Sequence, residues 1–315
     1  MDSSNRGAFL LAVDGSDQSL AAVRYAGRFL PAQTTEMVLF HVADKVPDAF
    51  WDLGSEPLFS HQVNWVGAWE NMQKSKVKEF MEKARQILIE AGIPQEAVKV
   101  RIRDRVKGIS RDVIAESERG YRAVVVGSVG TSKLKDLVLG SVAAKLLSNF
   151  SHVALCVVAG DPEPGKILVA MDSSQGAGRA VKYVPKLVKD ADCEVMLFHA
   201  VRGLSLSDQS REIPWDIEES EDLITKEAHS AMEPFFDEAK AYLVEAGLDE
   251  KQITSKIVTG AHSRAGAIME QAEEEGFTTI VAGRRGVSEV GGFFIGRVSN
   301  KVMHLARGKA VWIIS

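Results

Sequence analysis

Cysteine is scarce in this 315-residue chain: there are two, Cys156 and Cys193, at non-equivalent places and each inside an apolar, strand-like run. That placement reads as buried thiols rather than a disulfide or a metal pair, so nothing calls for an oxidising compartment. No apolar run approaches the ~18 to 20 residues that cross a bilayer. The apolar stretch ahead of Asp14 is too short for a secretory leader, and a cytoplasmic address is expected. There is no excess of basic charge either. A net charge of −5 argues against a nucleic-acid or anionic-membrane partner, although local basic clusters stay open. Two nucleotide signatures are missing: G-x4-G-K-[ST], which disfavours P-loop hydrolysis, and G-x-G-x-x-G after a first strand, which disfavours a dinucleotide oxidoreductase. No positioned base for an attacking water is visible.

What is present is a pattern that occurs twice. Gly127, Gly130 and Gly140 follow the run AVVV, and Gly283, Gly286 and Gly296 follow TIVA, with identical spacing and a common offset of 156 (283−127, 286−130, 296−140). One such triplet would be weak evidence. An unrelated stretch repeats as well: FLLAV, Asp14, a helical segment and MVLFHV in residues 8–42 return as KILVAM, Asp172, a helical segment and EVMLFHA in 166–200. Asp14 and His41 match Asp172 and His199 at an offset of 158 (172−14, 199−41).

Each half continues with a long amphipathic segment (about 67–92 and 221–246), a short strand, a helix, a strand, the glycine loop, a helix and a last strand. Near-continuous apolar strands alternating with helices predict a parallel sheet covered on both faces. The expected fold is therefore α/β: two tandem domains, each with five parallel strands. The stretch GDPEPGK at 160–166 breaks the apolar pattern and divides the chain into domains 1–160 and 161–315. Because that linker is short, the terminal strands of the halves are expected to pair about a pseudo-twofold axis.

Ligands of parallel α/β domains sit beyond the carboxyl ends of the strands, where Asp14, Asp172, Val42, Ala200 and both glycine loops fall. Glycine permits φ > 0 and lets a phosphate approach backbone N–H groups. Gly140 and Gly296 then open a helix whose N-terminus suits an anion, with Ser141 adding a hydroxyl. A carboxylate would repel phosphate, so Asp14 and Asp172 are expected at the sugar or base of an adenine nucleotide; the alternative is that each caps the following helix.

Other residues carry two readings each. Arg284, Arg285, Lys133 and Lys135 are loop cations beside phosphate or simply solvated charge. His41 and His199 read as structural rather than acid–base residues, and Asp136 and Glu289 as exposed solubilising charge. Phe50, Trp51, Phe59, Trp65 and Trp69, in or just after residues 43–66, either pack on a neighbouring domain or second chain or form a lid. The second loop, 201–221, carries only Trp215.

These residues resemble the universal stress proteins in their tandem two-domain form, over essentially the whole chain. The resemblance implies a Rossmann-like fold akin to the adenine nucleotide alpha hydrolases, without their SGG-x-DS signature. It further implies ATP, with Mg, held in the first half by Asp14, Val42, Val126, Gly127, Gly130, Gly140, Ser141 and Val142. The corresponding second set is Asp172, Ala200, Ala282, Gly283, Gly286, Gly296, Arg297 and Val298. There Arg297 stands where the family has Ser or Thr, and Ser299 lies two residues on. Arg297 would either pair with phosphate or block the pocket, and the first half is expected to bind more tightly. The implied function is a stress-response protein that acts by nucleotide-dependent stabilisation or partner contact, in which a homodimer of tandem chains and an unidentified protein partner are both open. A non-nucleotide interaction module and a slow ATPase are the alternatives.

Overall fold

The computed structural model describes residues 7–44, 60–130, 139–188, 193–203, 217–286 and 295–315. The expectations for Phe50, Trp51, Phe59, Lys133, Lys135, Asp136, Trp215 and Glu289 lie outside these residues. The first half runs β1 (Gly7–Ala12), α1 (Asp17–Phe29), β2 (Thr35–Ala43), α2 (Ser60–Glu90), β3 (Val98–Asp104), α3 (Ile109–Ser117), β4 (Ala123–Gly127), α4 (Ser141–Asn149) and β5 (Ala154–Val158). The second repeats it as β6 (Lys166–Ala170), α5 (Gln175–Tyr183), β7 (Glu194–Arg202), α6 (Ile217–Glu245), β8 (Ile253–Ala261), α7 (Arg264–Glu274), β9 (Thr279–Gly283), α8 (Arg297–Leu305) and β10 (Ala310–Ile314).

Helices α2 and α6 begin at Ser60 and Ile217, several residues ahead of the expected 67 and 221. Their first turns lie beyond the amphipathic stretch from which the helices were read. Trp65 therefore belongs to a helix rather than a loop, and Trp69 follows it as a partly exposed helical residue.

The strands form one ten-stranded sheet in the order β3-β2-β1-β4-β5-β10-β9-β6-β7-β8. Within each half the pairing is parallel. The alternate residues of the inner strands feed two cores, one beneath α1, α2, α5 and α6 and the other beneath α3, α4, α7 and α8. Covering both faces explains why central strands such as ALCVV and AVWII are buried at every position. Among the described residues no helix is long and apolar enough to cross a membrane. Both cysteines are buried and free, and burial pushes their thiols well up, Cys193 to about 12.

The halves meet where β5 and β10 pair antiparallel, in the register Leu155↔Ile313 to Val158↔Ala310. Trp312, fully buried opposite Cys156, packs on Phe9, Phe29 and Tyr183 with ring centroids 6.2–6.4 Å apart. Burying a tryptophan removes roughly 150–250 Å² from water, about 4–6 kcal/mol gross at 25 cal/mol/Å², so packing dominates this junction. Hydrogen bonds fix its geometry: Trp312 Nε1 donates to the Tyr25 hydroxyl (3.0 Å), which also meets Thr279 Oγ1 (2.9 Å). Tyr25 belongs to α1 and Thr279 to β9, so one phenol ties both halves. Burial drives its pKa well up, keeping it protonated.

The linker lies along α1. Gln18 Nε2 donates to the carbonyls of Val158 (3.0 Å) and Gly160 (2.8 Å), while Arg24 and Arg28 pair with Asp161 and Glu163 at 2.8 Å. The two ion pairs are substantially exposed and worth at most about 1 kcal/mol each. Tyr25→Phe should cost about 1–3 kcal/mol in urea denaturation, because it leaves two buried polar atoms short of a partner. A change under about 0.5 kcal/mol would mean the hydroxyl does not hold the junction.

Candidate functional site

The carboxyl ends of β1, β2 and β4 form the first rim. Ala12, the last residue of β1, pairs with Phe40 on one side and Val126 on the other. Val13 N–H donates to Phe40 O (2.9 Å), which carries the chain over the rim and sets Asp14 just beyond the end of β1. His41 Nδ1 meets the Val13 carbonyl at 2.9 Å; a carbonyl only accepts, so Nδ1 carries the proton. His199 does the same with Met171 O at 2.7 Å. Each histidine thus fastens the turn that presents the aspartate.

Neither aspartate caps its helix. Ser16 and Ser174 are the N-caps, their hydroxyls accepting from the Ser19 and Ala177 amides. Asp14 Oδ1 in turn accepts from Ser16 N (3.1 Å) and Ser16 Oγ (2.6 Å), and Asp172 Oδ1 accepts from the same two groups of Ser174. The second carboxylate oxygen turns toward the glycine loop: a Cβ on Gly130 would collide with Asp14 Oδ2, and one on Gly286 would lie 2.5 Å from Asp172 Oδ2.

The expectation of positive φ at the loop glycines does not hold. Gly127, Gly130, Gly140, Gly283, Gly286 and Gly296 are all absent from the positive-φ set. What these positions need is room. A Cβ on Gly127 would sit 3.0 Å from Gln18 O in α1, and one on Gly283 would collide with the Gly176 backbone in α5. Gly140 and Gly296 fold back on their own loops, donating from N–H to Ser128 O (2.6 Å) and Arg284 O (2.8 Å). Each triplet therefore packs a strand end, an aspartate and a helix start into one knot.

The helix starts are the chemically open part of that knot. Helices α1, α5 and α7 have serine side-chain caps, whereas α4 and α8, entered through Gly140 and Gly296, have no side-chain cap. Their first-turn amides, at residues 141–143 and 297–299, point out of the helix without an intrahelical partner, at the positive end of the dipole. Ser141 and Arg297 are exposed at the first helical position; Val142 and Val298, next to them, are half-buried. This arrangement can hold an anionic group at each rim.

The second rim differs in three ways. Ser299 is buried and donates to Gly283 O (2.7 Å), which commits its proton inward. Gly178 stands where the first half has buried Leu20, and a cleft of about 410 Å³ runs from Asp172 and Ser174 between α5 and α6 to Tyr242. Arg284, read from sequence as a loop cation near phosphate or in solvent, is neither. Its side chain is buried, and Nη2 donates to Leu147 O (2.8 Å) near the carboxyl end of α4, where a cation suits the dipole. Among the described residues its Nε and Nη1 have no hydrogen-bond partner, and burial, then Arg285, lowers its pKa. Burial is a tertiary outcome that the local sequence does not signal.

The model of the universal stress protein family matches residues 6–157 and again residues 164–314. The chain belongs to that family. Universal stress protein YxiE of Bacillus subtilis (strain 168) is 28% identical over 151 residues, which is 47% of this chain and 94% of the relative. The crystal structure of a universal stress protein from Archaeoglobus fulgidus DSM 4304 aligns over 100% of this chain and 99% of its own, with a TM-score of 0.62 and 23% identity. A universal stress protein structure from Pseudomonas aeruginosa UCBPP-PA14 covers 98% of this chain and 93% of its own, with a TM-score of 0.53 and 17% identity.

The steric reading of the glycines has a measurable ranking. Gly283→Ala drives a Cβ into backbone that no rotamer can move, and should cost about 3 kcal/mol or more; Gly127→Ala, facing a 3.0 Å contact, should cost about 1 kcal/mol. Denaturant midpoints in the opposite order would refute it.

Proposed function

We propose that this universal stress protein binds ATP with magnesium at the rim of each half and acts through nucleotide occupancy rather than turnover. The observation that carries the reading is that α4 and α8, which like α3 start without a side-chain cap, are each folded against a glycine loop at the carboxyl ends of the strands. In the first half the amides at 141–143 and the Ser141 hydroxyl take the phosphates, with magnesium as their counter-ion, while Asp14, Val42 and Val126 take the sugar and base. In the second, the amides at 297–299 and Arg297 take the phosphates, and Asp172, Ala200 and Ala282 take the nucleoside. The chain divides functionally at residues 160 and 161, and its place of work is the cytoplasm.

Binding acts by linkage: a ligand held only by the folded state stabilises it by about 2.7 kcal/mol at a hundredfold excess over Kd. The first half is the tighter site, because Ser141 keeps a hydroxyl at the helix start whereas Ser299, the nearby serine of the second half, donates inward to Gly283.

The test is calorimetric titration of the intact chain with Mg-ATP, AMP and cyclic AMP, alongside a search for adenine nucleotide released on heating. Gly130→Val should remove the tighter binding and Gly286→Val the weaker, each variant retaining the other event. No released nucleotide and no heat with any ligand would overturn the proposal. Equal affinities in the two variants would overturn the ranking alone.

A further inference from the structure

Among the described residues no further strand pairs with the outer edge of β3, and this edge is built differently from its counterpart in the second half. β3 pairs with β2 without interruption from Met37↔Val98 to Ala43↔Asp104. Its counterpart β8 is broken by a register shift between Ala200 and Arg202 and ends near Gly260 at φ +74°. Bulges and charges are how native sheets blunt such edges. On the α2 side of β3 the strand itself carries no bulge: Val100 and Ile102 remain 40% and 46% exposed beside a groove of about 590 Å³ whose far wall carries Lys78, Glu82 and Arg85 of α2.

The other side of β3 carries a cation array. Glu116 of α3 is fully buried, and three arginines surround it: Arg101 Nη1 at 2.6 Å, Arg119 Nε at 3.3 Å and Arg103 Nη1 at 3.5 Å. The Tyr121 hydroxyl donates to it at 2.9 Å, and burial together with that bond raises its pKa to about 12. The guanidinium side chains are 38–50% exposed; the three cations and the one buried anion sum to +2, and Glu36 of β2 also acts on Arg101. At the constant offset of 155, the second half has Lys256, Val258, Gln271 and Glu274, a sum of zero. The fold therefore does not require the array. A buried carboxylate whose ion pairs add little net stability serves here to gather three arginines on one side of β3, Arg101 by a hydrogen bond and Arg103 and Arg119 at ion-pair distance.

We propose that the outer edge of β3 receives an extended segment of another protein in which acidic and apolar residues alternate. Such a segment continues the backbone ladder as a further strand. Its period of two sets acidic side chains on Arg101, Arg103 and Arg119 and apolar ones on Val100 and Ile102. A second copy of β3 fails this match, because arginines would face arginines. A nucleic acid would meet the cations but leave the edge amides and the apolar row uncovered, and the chain's charge of −5 opposes it.

The probe is a labelled, capped peptide of alternating Glu and Val, titrated against the full chain by fluorescence anisotropy, with a block-ordered peptide of the same composition and a single-stranded oligonucleotide as competitors. The alternating peptide should bind at least fivefold tighter than the block peptide. R103E and I102D should each weaken it about tenfold or more, while the melting temperature stays within a few degrees. Hydrogen exchange in β3 should slow on binding. Equal binding of the two peptides, tighter binding of the oligonucleotide, self-association of the chain through this edge, or no binding at millimolar peptide would each overturn the proposal. None of these readouts depends on nucleotide.

Discussion

The antiparallel pairing of β5 with β10 is the constraint on which the rest of the molecule depends. It turns two five-stranded parallel sheets into one sheet of ten, and it buries Trp312 and Tyr25 at the centre, where neither half would cover them alone. Because the pairing is antiparallel, the carboxyl ends of the strands point one way in the first half and the opposite way in the second. The two rims are consequently far sides of one slab.

Arg284 lies in the second glycine loop, yet its side chain ends on the carboxyl terminus of α4, whose amino terminus opens the first rim. A single residue thus touches the framework of both clefts. The first-half counterpart, Ser128, is too short for that reach.

The sequence repeats revealed the repeated unit, the alternation of strands with helices and the parallel α/β class. These depend on local periodicity and on the internal offset, which a single chain displays. The purpose of the glycines was half legible. Their spacing marked a loop, but whether it needs positive φ or merely space depends on Gln18 and Gly176, which approach from another element. Likewise, nothing local distinguishes a solvated arginine from Arg284, nor marks Glu116 as the buried hub of Arg101, Arg103 and Arg119. The aspartates were credited with a possible cap that the structure gives to the serines two residues later. Asx-type turns and N-caps share a vocabulary of residues, and only coordinates separate them.

Carrying both halves on one polypeptide also changes what the molecule is free to become. In an association of identical chains every substitution occurs twice, and the contact weakens on dilution. Here the partner is always present at a fixed, high effective concentration. The two copies differ accordingly: Gly178 lines a cleft where the first half has Leu20, Arg284 reaches α4 where the first half has Ser128, and β8 is bulged where β3 is straight. A covalent pair can keep each such difference confined to one half.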